Sequence, residues 1–378
     1  MITKKSMLRH AAVVSAAVAV AASAGPAAAD GRDRLRPVVE RLTGPGGSPG
    51  ALAQVDGRGG RHVATSGVAD IRTGAPVDPR SRFRIGSITK TFTATVVLQL
   101  AGEGWIDLDA PVERYLPGMV RGADNDGREI TVRQLLQHTS GLPDVLDYLS
   151  PLDILNDPLR HWDARELVDI ALPHRREFTP GRGWGYSNTN YLLAGMIIER
   201  VTGHTYAHEV RRRIIVPLGL DDTFPPSDAP GIPGPHPRGY VRPAADLVDI
   251  TRLNPTVAGA AGGMISSASD LDRFLAVLLH GGLLKPAQLR EMLDTRPTGR
   301  DSGSEYGLGL EWLPAKDRPG CPRGFWGHDG DMLGFSVRAG AAAGRQATVM
   351  VNLNPGGGQA LDEAMGDALP TALCGPAR

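Results

Sequence analysis

Strand-like patterns sit near both ends of this chain and helical patterns fill the middle, an order that few folds satisfy. "ALAQVDGRGGRHVATSGVAD" (Ala51–Asp70) holds two short extended runs around a glycine-rich turn, which predicts a hairpin. Three more strand-like runs, "YGLGLEWL", "GFSVRAGAAA" and "ATVMVNLN", lie toward the other end. Between them "TVRQLLQH" and "AGMIIERVTG" have helical spacing, and residues 226–257 are proline-rich and irregular. Such a chain suits an α/β unit assembled from both ends with a helical domain inserted. The α/β part is expected at about 30–90 and 258–378, and the helical insert at about 91–257.

Four helices frame that plan. Leu35, Val38, Val39 and Leu42 make a stripe in Asp30–Gly44. Phe92, Val96, Val97 and Leu100 make another in a helix from about Ser87 to Ala101. "SSASDLDRFLAVLLHGG" (Ser266–Gly282) predicts a third, with Ser269 as N-cap and Asp272 in the first turn. "GQALDEAMGDALPTAL" closes the chain, with Pro370 restricting its last turn.

The first 29 residues differ in composition from the rest. Lys4, Lys5 and Arg9 precede an apolar run from Ala11 to Ala24, followed by small residues at Ala27 and Ala29. This pattern predicts a secretory signal, with cleavage expected after Ala29, and its apolar core is short for a membrane span. No later stretch is long and apolar enough to cross a bilayer, so a secreted protein is expected. Lys plus Arg equals Asp plus Glu, 41 each, a balance that points away from a nucleic-acid partner. The 2 cysteines, Cys321 and Cys374, most simply pair with each other in an oxidising compartment. No C-x-x-C or H-E-x-x-H spacing occurs, and neither metal nor cofactor is expected. No feature sets an oligomeric state.

Chemistry enters at "RFRIGSITKTFTATVVLQL" (Arg82–Leu100). Ser87 and Lys90 are three apart, and on a helix such residues have Cβ atoms about 5–6 Å apart. A serine hydroxyl needs a base before it is a nucleophile, and a lysine serves once burial lowers its pKa. By itself the spacing equally describes a helix start with a solvated lysine. "FTPGRGWGYSNTNYLLAGMIIERVTG" adds Tyr186, Ser187 and Asn188 in a loop before a helix. A tyrosine near a lysine can exchange a proton, and an asparagine can hold a substrate amide. "GFWGHDGDMLGFSV" adds His328, Asp329 and Gly330 at the start of a strand, where glycine permits a ligand close to the backbone.

In this order the three segments resemble the active-site motifs of the serine penicillin-recognising enzymes, whose related forms are S-x-x-K, S-D-N and K-T-G. The tyrosine and the histidine point to the branch of class C β-lactamases and exported D-alanyl-D-alanine carboxypeptidases. "LLQHTSGLPD", "AGGMISSASDLDRFL" and "YGLGLEW" also look like this branch, and the resemblance runs from about Ala51 to Cys374. It implies an antiparallel sheet flanked by helices, with the helical domain inserted. It implies that Ser87 is acylated while Lys90 and Tyr186 share the proton, either being the base. Asn188 would hold the acyl-side amide. Ser87 and Asp331 would give backbone N–H groups to an oxyanion hole, and His328 would carry part of a positive charge beside the pocket. The positions of Cys321 and Cys374 also resemble the carboxypeptidases, in support of a disulfide. His138 and Ser140 read as a structural turn.

One departure bears on substrate. Carboxypeptidases of this type bind a free carboxylate, commonly with hydroxyl residues beside the third motif, where this chain has Asp329 and Asp331. A cation is needed to offset them, and Arg323 is the one nearby in sequence. The leading expectation is therefore a D-alanyl-D-alanine carboxypeptidase acting on peptidoglycan stem peptides. A class C-like β-lactamase, an esterase or a D-amino-acid peptidase are the alternatives. A non-catalytic module that binds β-lactam or peptidoglycan is the remaining one.

Overall fold

Hydrogen bonds join nine strands of the computed structural model into one antiparallel sheet; the model describes residues 31–315, 318 and 320–375. The signal segment expected over 1–29 lies outside the described residues. The strands are β1 (Gly50–Asp56), β2 (His62–Asp70), β3 (Ala75–Pro76), β4 (Arg296–Pro297), β5 (Glu305–Tyr306), β6 (Glu311–Leu313), β7 (Phe325–Met332), β8 (Phe335–Ala342) and β9 (Arg345–Val351). Their order across the sheet is β4-β5-β6-β7-β8-β9-β1-β2-β3. The expected hairpin is β1–β2, and β1 also pairs with β9, Ala51 opposite Val351, so both ends of the chain meet inside the sheet.

Alternation along the strands divides two cores. Ala51, Ala53, Val55, Ala347, Val349 and Val351 pack with helices α1 (Gly31–Leu42) and, at the chain's end, Gly358–Cys374. Leu52, Val337, Ala339 and Met350 face the opposite way, into a larger core shared with α2 (Thr89–Gly102), α3 (Asn188–Thr202) and α4 (Ala268–Leu279). The last helix is labelled α5. Cys321 and Cys374 form a disulfide with Cα atoms 5.1 Å apart, tying the approach to β7 to the end of α5. Among the described residues no helix is long and apolar enough to cross a membrane.

Helix α2 differs from its expected single stripe, because it is buried on all sides. Its threonines make this possible by satisfying their own hydroxyls: Thr91 donates to the Gly309 carbonyl at 2.7 Å, Thr93 to Ala260 at 2.7 Å and Thr95 to Thr91 at 2.7 Å. Phe92 stacks on Phe274 of α4 with ring centroids 3.8 Å apart. Burying an aromatic of this size contributes roughly 1.5–3 kcal/mol.

Two expected elements are corrected. "YGLGLEWL" is two strands, β5 and β6, around a turn in which Gly309 has φ +75°. A Cβ there would sit 2.5 Å from that of Ala94, so the turn closes on α2. The cap of α4 is Ser267, whose hydroxyl accepts from the Asp270 N–H at 3.3 Å. Ser269 instead donates to Gln54, and Asp272 is buried, accepting from Gln54 at 2.7 Å and Thr348 at 2.8 Å. Cap sites were ambiguous in "SSASD" because three serines precede Leu271, the first large apolar residue of the helix.

Candidate active site

The chain enters the site through strand Arg82–Arg84 and a 3-10 turn, Gly86–Ile88, before α2 begins at Thr89. This turn presses against β7 backbone to backbone. Gly86 has φ +50°, and a Cβ on it would lie 2.6 Å from the Asp331 nitrogen. A Cβ on Gly330 would lie 2.0 Å from the Ile85 carbonyl oxygen. Both glycines are therefore required by this contact. Gly330 was expected to admit a ligand; it admits the turn that carries Ser87. The third motif also lies within β7 rather than at its start. Pairing with β6 ends at Gly327, so β6 does not cover the edge from His328 to Met332.

Lys90 has no exposed surface. Its Nζ donates to Ser87 Oγ at 3.0 Å, to Asn188 Oδ1 at 2.7 Å and to the Ala261 carbonyl at 2.8 Å. It lies 4.8 Å from the Tyr186 ring centroid and 5.5 Å from that of Tyr191. Burial brings its pKa down to about 7, with Asp144 pulling the other way. In the neutral amine, Asn188 and Ala261 occupy two N–H groups and leave the lone pair for the Ser87 hydroxyl. Burial holds the Tyr186 phenol above its ordinary value, with Ser87 opposing.

Asn188 starts α3, and both halves of its carboxamide are engaged. The oxygen faces Lys90, and Nδ2 donates to Asp144 at 2.9 Å and 3.2 Å. One Nδ2 hydrogen and one oxygen lone pair remain for a substrate. The segment His138–Asp144 holds this stretch in place. His138 Nδ1 accepts from the Ser187 N–H at 3.2 Å and Asn190 Nδ2 at 3.2 Å, and Ser140 donates to Asn190 at 2.6 Å. The Pro143 carbonyl takes the hydroxyls of Ser187 and Thr189. His138 and Ser140 thus sit in a structural clamp.

His328 departs from its expected charge. Its Nδ1 faces the Asp329 carbonyl, which only accepts, so the proton sits on Nδ1. Its Nε2 then accepts from the Tyr306 hydroxyl at 2.8 Å. Burial, and after it the nearby Lys90, lower its pKa to about 3, so it is neutral throughout the physiological range.

Asp329 and Asp331 alternate with His328 along β7 and point to the other face, half exposed. The cation between them is not Arg323. Arg338 of β8 reaches Asp329 at 3.2 Å and Asp331 at 3.2 Å, and two carboxylates against one guanidinium leave a net negative charge. The signal for this was present: a turn at Leu333-Gly334 in "MLGF" sets Asp329 opposite Arg338. Asp144, Tyr306 and Arg300, whose guanidinium lies 5.0 Å from the Trp184 ring, are the other residues that sequence reasoning did not single out.

A serine held by a buried, neutralisable lysine beside an open strand edge can form and release an ester with an acyl group. Comparison with known proteins agrees. The Beta-lactamase family model matches residues 35–370. Penicillin-binding protein 4* of Bacillus subtilis (strain 168) is 29% identical over 283 residues, covering 69% of this chain and 59% of that protein. The chain therefore spans about three fifths of that relative's length, 59%. The D-stereospecific amidohydrolase of a Streptomyces species is 40% identical with a TM-score of 0.80, covering 88% of this chain and 98% of that one. The D-amino acid amidase of Ochrobactrum anthropi SV3, solved with L-phenylalanine amide, is 29% identical with a TM-score of 0.77, covering 91% and 98%.

Proposed function

Because the chain belongs to the Beta-lactamase family, among the serine penicillin-recognising enzymes, we propose that it is a serine acyl hydrolase that cleaves amides and esters of D-amino acids. One observation carries the reading: the 3.0 Å contact between Ser87 Oγ and the Nζ of a lysine with no exposed surface. Lys90 is the base, since its pKa of about 7 suits that task and the raised Tyr186 phenol keeps its proton.

Neutral Lys90 takes the Ser87 proton as Oγ bonds to the substrate carbonyl carbon. The carbonyl oxygen gains the negative charge and is held by the N–H groups of Ser87 and Asp331. The proton passes to the leaving nitrogen or oxygen, with Tyr186 beside the path, and the bond to the leaving group breaks. Water then gives a proton to Lys90 and its oxygen to the acyl carbon, which frees the acid and restores the Ser87 hydroxyl.

The net negative charge at Asp329, Asp331 and Arg338 disfavours a substrate carboxylate and favours an ammonium. This, with the likeness to the amidohydrolase and the amidase, supports a D-amino acid derivative with a free amine. Release of D-alanine from a peptide ending in D-Ala-D-Ala is the second reading, favoured by the penicillin-binding relative. We also place the protein outside the cell; the Cys321–Cys374 disulfide supports this.

The test compares D-phenylalanine amide, L-phenylalanine amide and a D-Ala-D-Ala peptide on the purified protein. Turnover is expected for the D-amide, far less for the L-amide, and none for any substrate with Ser87→Ala. Turnover of the D-Ala-D-Ala peptide alone would replace this reading with the second. A fluorescent penicillin and an activated ester that both fail to label Ser87 would end the acyl-enzyme reading.

A further inference from the structure

The carboxylate of Asp144 lies behind the Ser87–Lys90 pair, and nothing in the proposed chemistry uses it. It precedes the 3-10 turn Val145–Asp147 and caps it, accepting from the Leu146 N–H at 3.2 Å. It also accepts from the Asn188 backbone N–H at 3.0 Å and, through both carboxylate oxygens, from Asn188 Nδ2. A continuous chain results: Asp144, the Asn188 carboxamide, Lys90 Nζ and Ser87 Oγ.

A carboxylate only accepts hydrogen bonds, so it dictates which end of the Asn188 carboxamide faces it. The nitrogen must turn to Asp144 and the oxygen to Lys90. Reversed, the carboxamide would direct its N–H groups at the lysine's own. The groups that face Lys90 are Asp144, the rings of Tyr186 and Tyr191, and His138 and His328. Burial keeps both histidines neutral and both phenols protonated. Asp144 is the one carboxylate in that set.

We propose that Asp144 is a positioning residue for the Ser87–Lys90 pair: it fixes the Asn188 carboxamide with its oxygen toward Lys90 and supplies the lysine's counter-charge. The proposal rests on the acyl-enzyme reading for its consequence in catalysis, but not for its effect on the lysine. Two buried hydrogen-bonded groups that share one amide bridge respond to each other's charge more strongly than exposed ones. The counter-charge raises the pH at which Lys90 gives up its proton, and the loss of it lowers that pH.

Two variants separate charge from capping. Asp144→Asn keeps the shape and removes the charge. Asp144→Ser keeps a residue suited to an N-cap and also removes the charge, so it serves if the asparagine variant fails to fold. Titration of Lys90 by ¹⁵N-lysine NMR should show its midpoint displaced toward acid by about one pH unit in both variants. Asp144→Glu should return it toward the wild-type value. Single-turnover acylation of Ser87 by a p-nitrophenyl ester, from pH 5 to pH 9 by design, should show its acid limb move the same way. A merely structural role would lower the amplitude and leave the midpoint in place, and an unshifted Lys90 midpoint in a folded variant overturns the proposal. Failure of the wild-type protein to acylate would count against the proposed function alone, because the NMR midpoint is read without substrate.

Discussion

Arg84 and Lys90 are two buried cations on either side of Ser87, and they have opposite fates. Arg84 is 1% exposed and Lys90 0%. Each meets three oxygens. Arg84 Nη2 donates to the carbonyls of Pro230 at 2.8 Å, Thr251 at 3.3 Å and Leu253 at 2.7 Å. Burial lowers the Arg84 pKa to about 10 and that of Lys90 to about 7. The guanidinium therefore stays charged and pins the proline-rich segment to the strand that leads into Ser87. The ammonium falls to where its proton leaves at neutral pH. Comparable burial thus produces a fastener at one position and, in the function proposed above, a base at the other, and the difference lies in the intrinsic proton affinity of the two head groups.

The largest expected break comes from erasing that difference. Lys90→Arg should lower Ser87 acylation by about a thousandfold or more, with the circular dichroism spectrum unchanged, because a guanidinium at that site remains protonated. Full acylation at pH 8 in this variant would show that Tyr186 or water supplies the base. The next effect falls on stability. Arg84→Met leaves three carbonyls without their donor and should cost about 3 kcal/mol in urea unfolding. Arg84→Lys should recover part of it, since an ammonium has three donors. Acylation per folded molecule should change little in either, and a large loss would move Arg84 into the catalytic group. The smallest effect needs no mutation. In the proposed mechanism the reactive form of Lys90 is the neutral amine, so acylation should rise with pH through about 7 and fall about tenfold for each unit below it. A pH-independent rate between pH 5 and pH 7 would contradict a lysine base.

Much of the fold was legible because period-2 and helical patterns occupy separate parts of the chain. The meeting of Ser87, Lys90, Tyr186, Asn188 and His328 was legible through the order of three short segments. What escaped were the long-range partners that decide charge. Arg338 becomes the partner of Asp329 only when the β7–β8 register is known, and Asp144 becomes the partner of Asn188 only when two loops meet. His328 offered no sign of neutrality, since Tyr306 and the surrounding burial arrive from another strand. Helix α2 misled for a related reason: threonines look like a polar face until their hydroxyls are seen to bond within the core.

The pairing of β1 with β9 also has a consequence in time. A ribosome emits this chain from its N-terminal end, so β1 waits for its neighbour until Val351 has emerged. Ser87 and Lys90 emerge well over two hundred residues before Gly330 and Asp331, which back the seryl turn. Contacts of such long range are slow to form, and a nascent or truncated chain holds the serine without its support. Until those residues emerge, the turn that carries Ser87 lacks the strand it packs against.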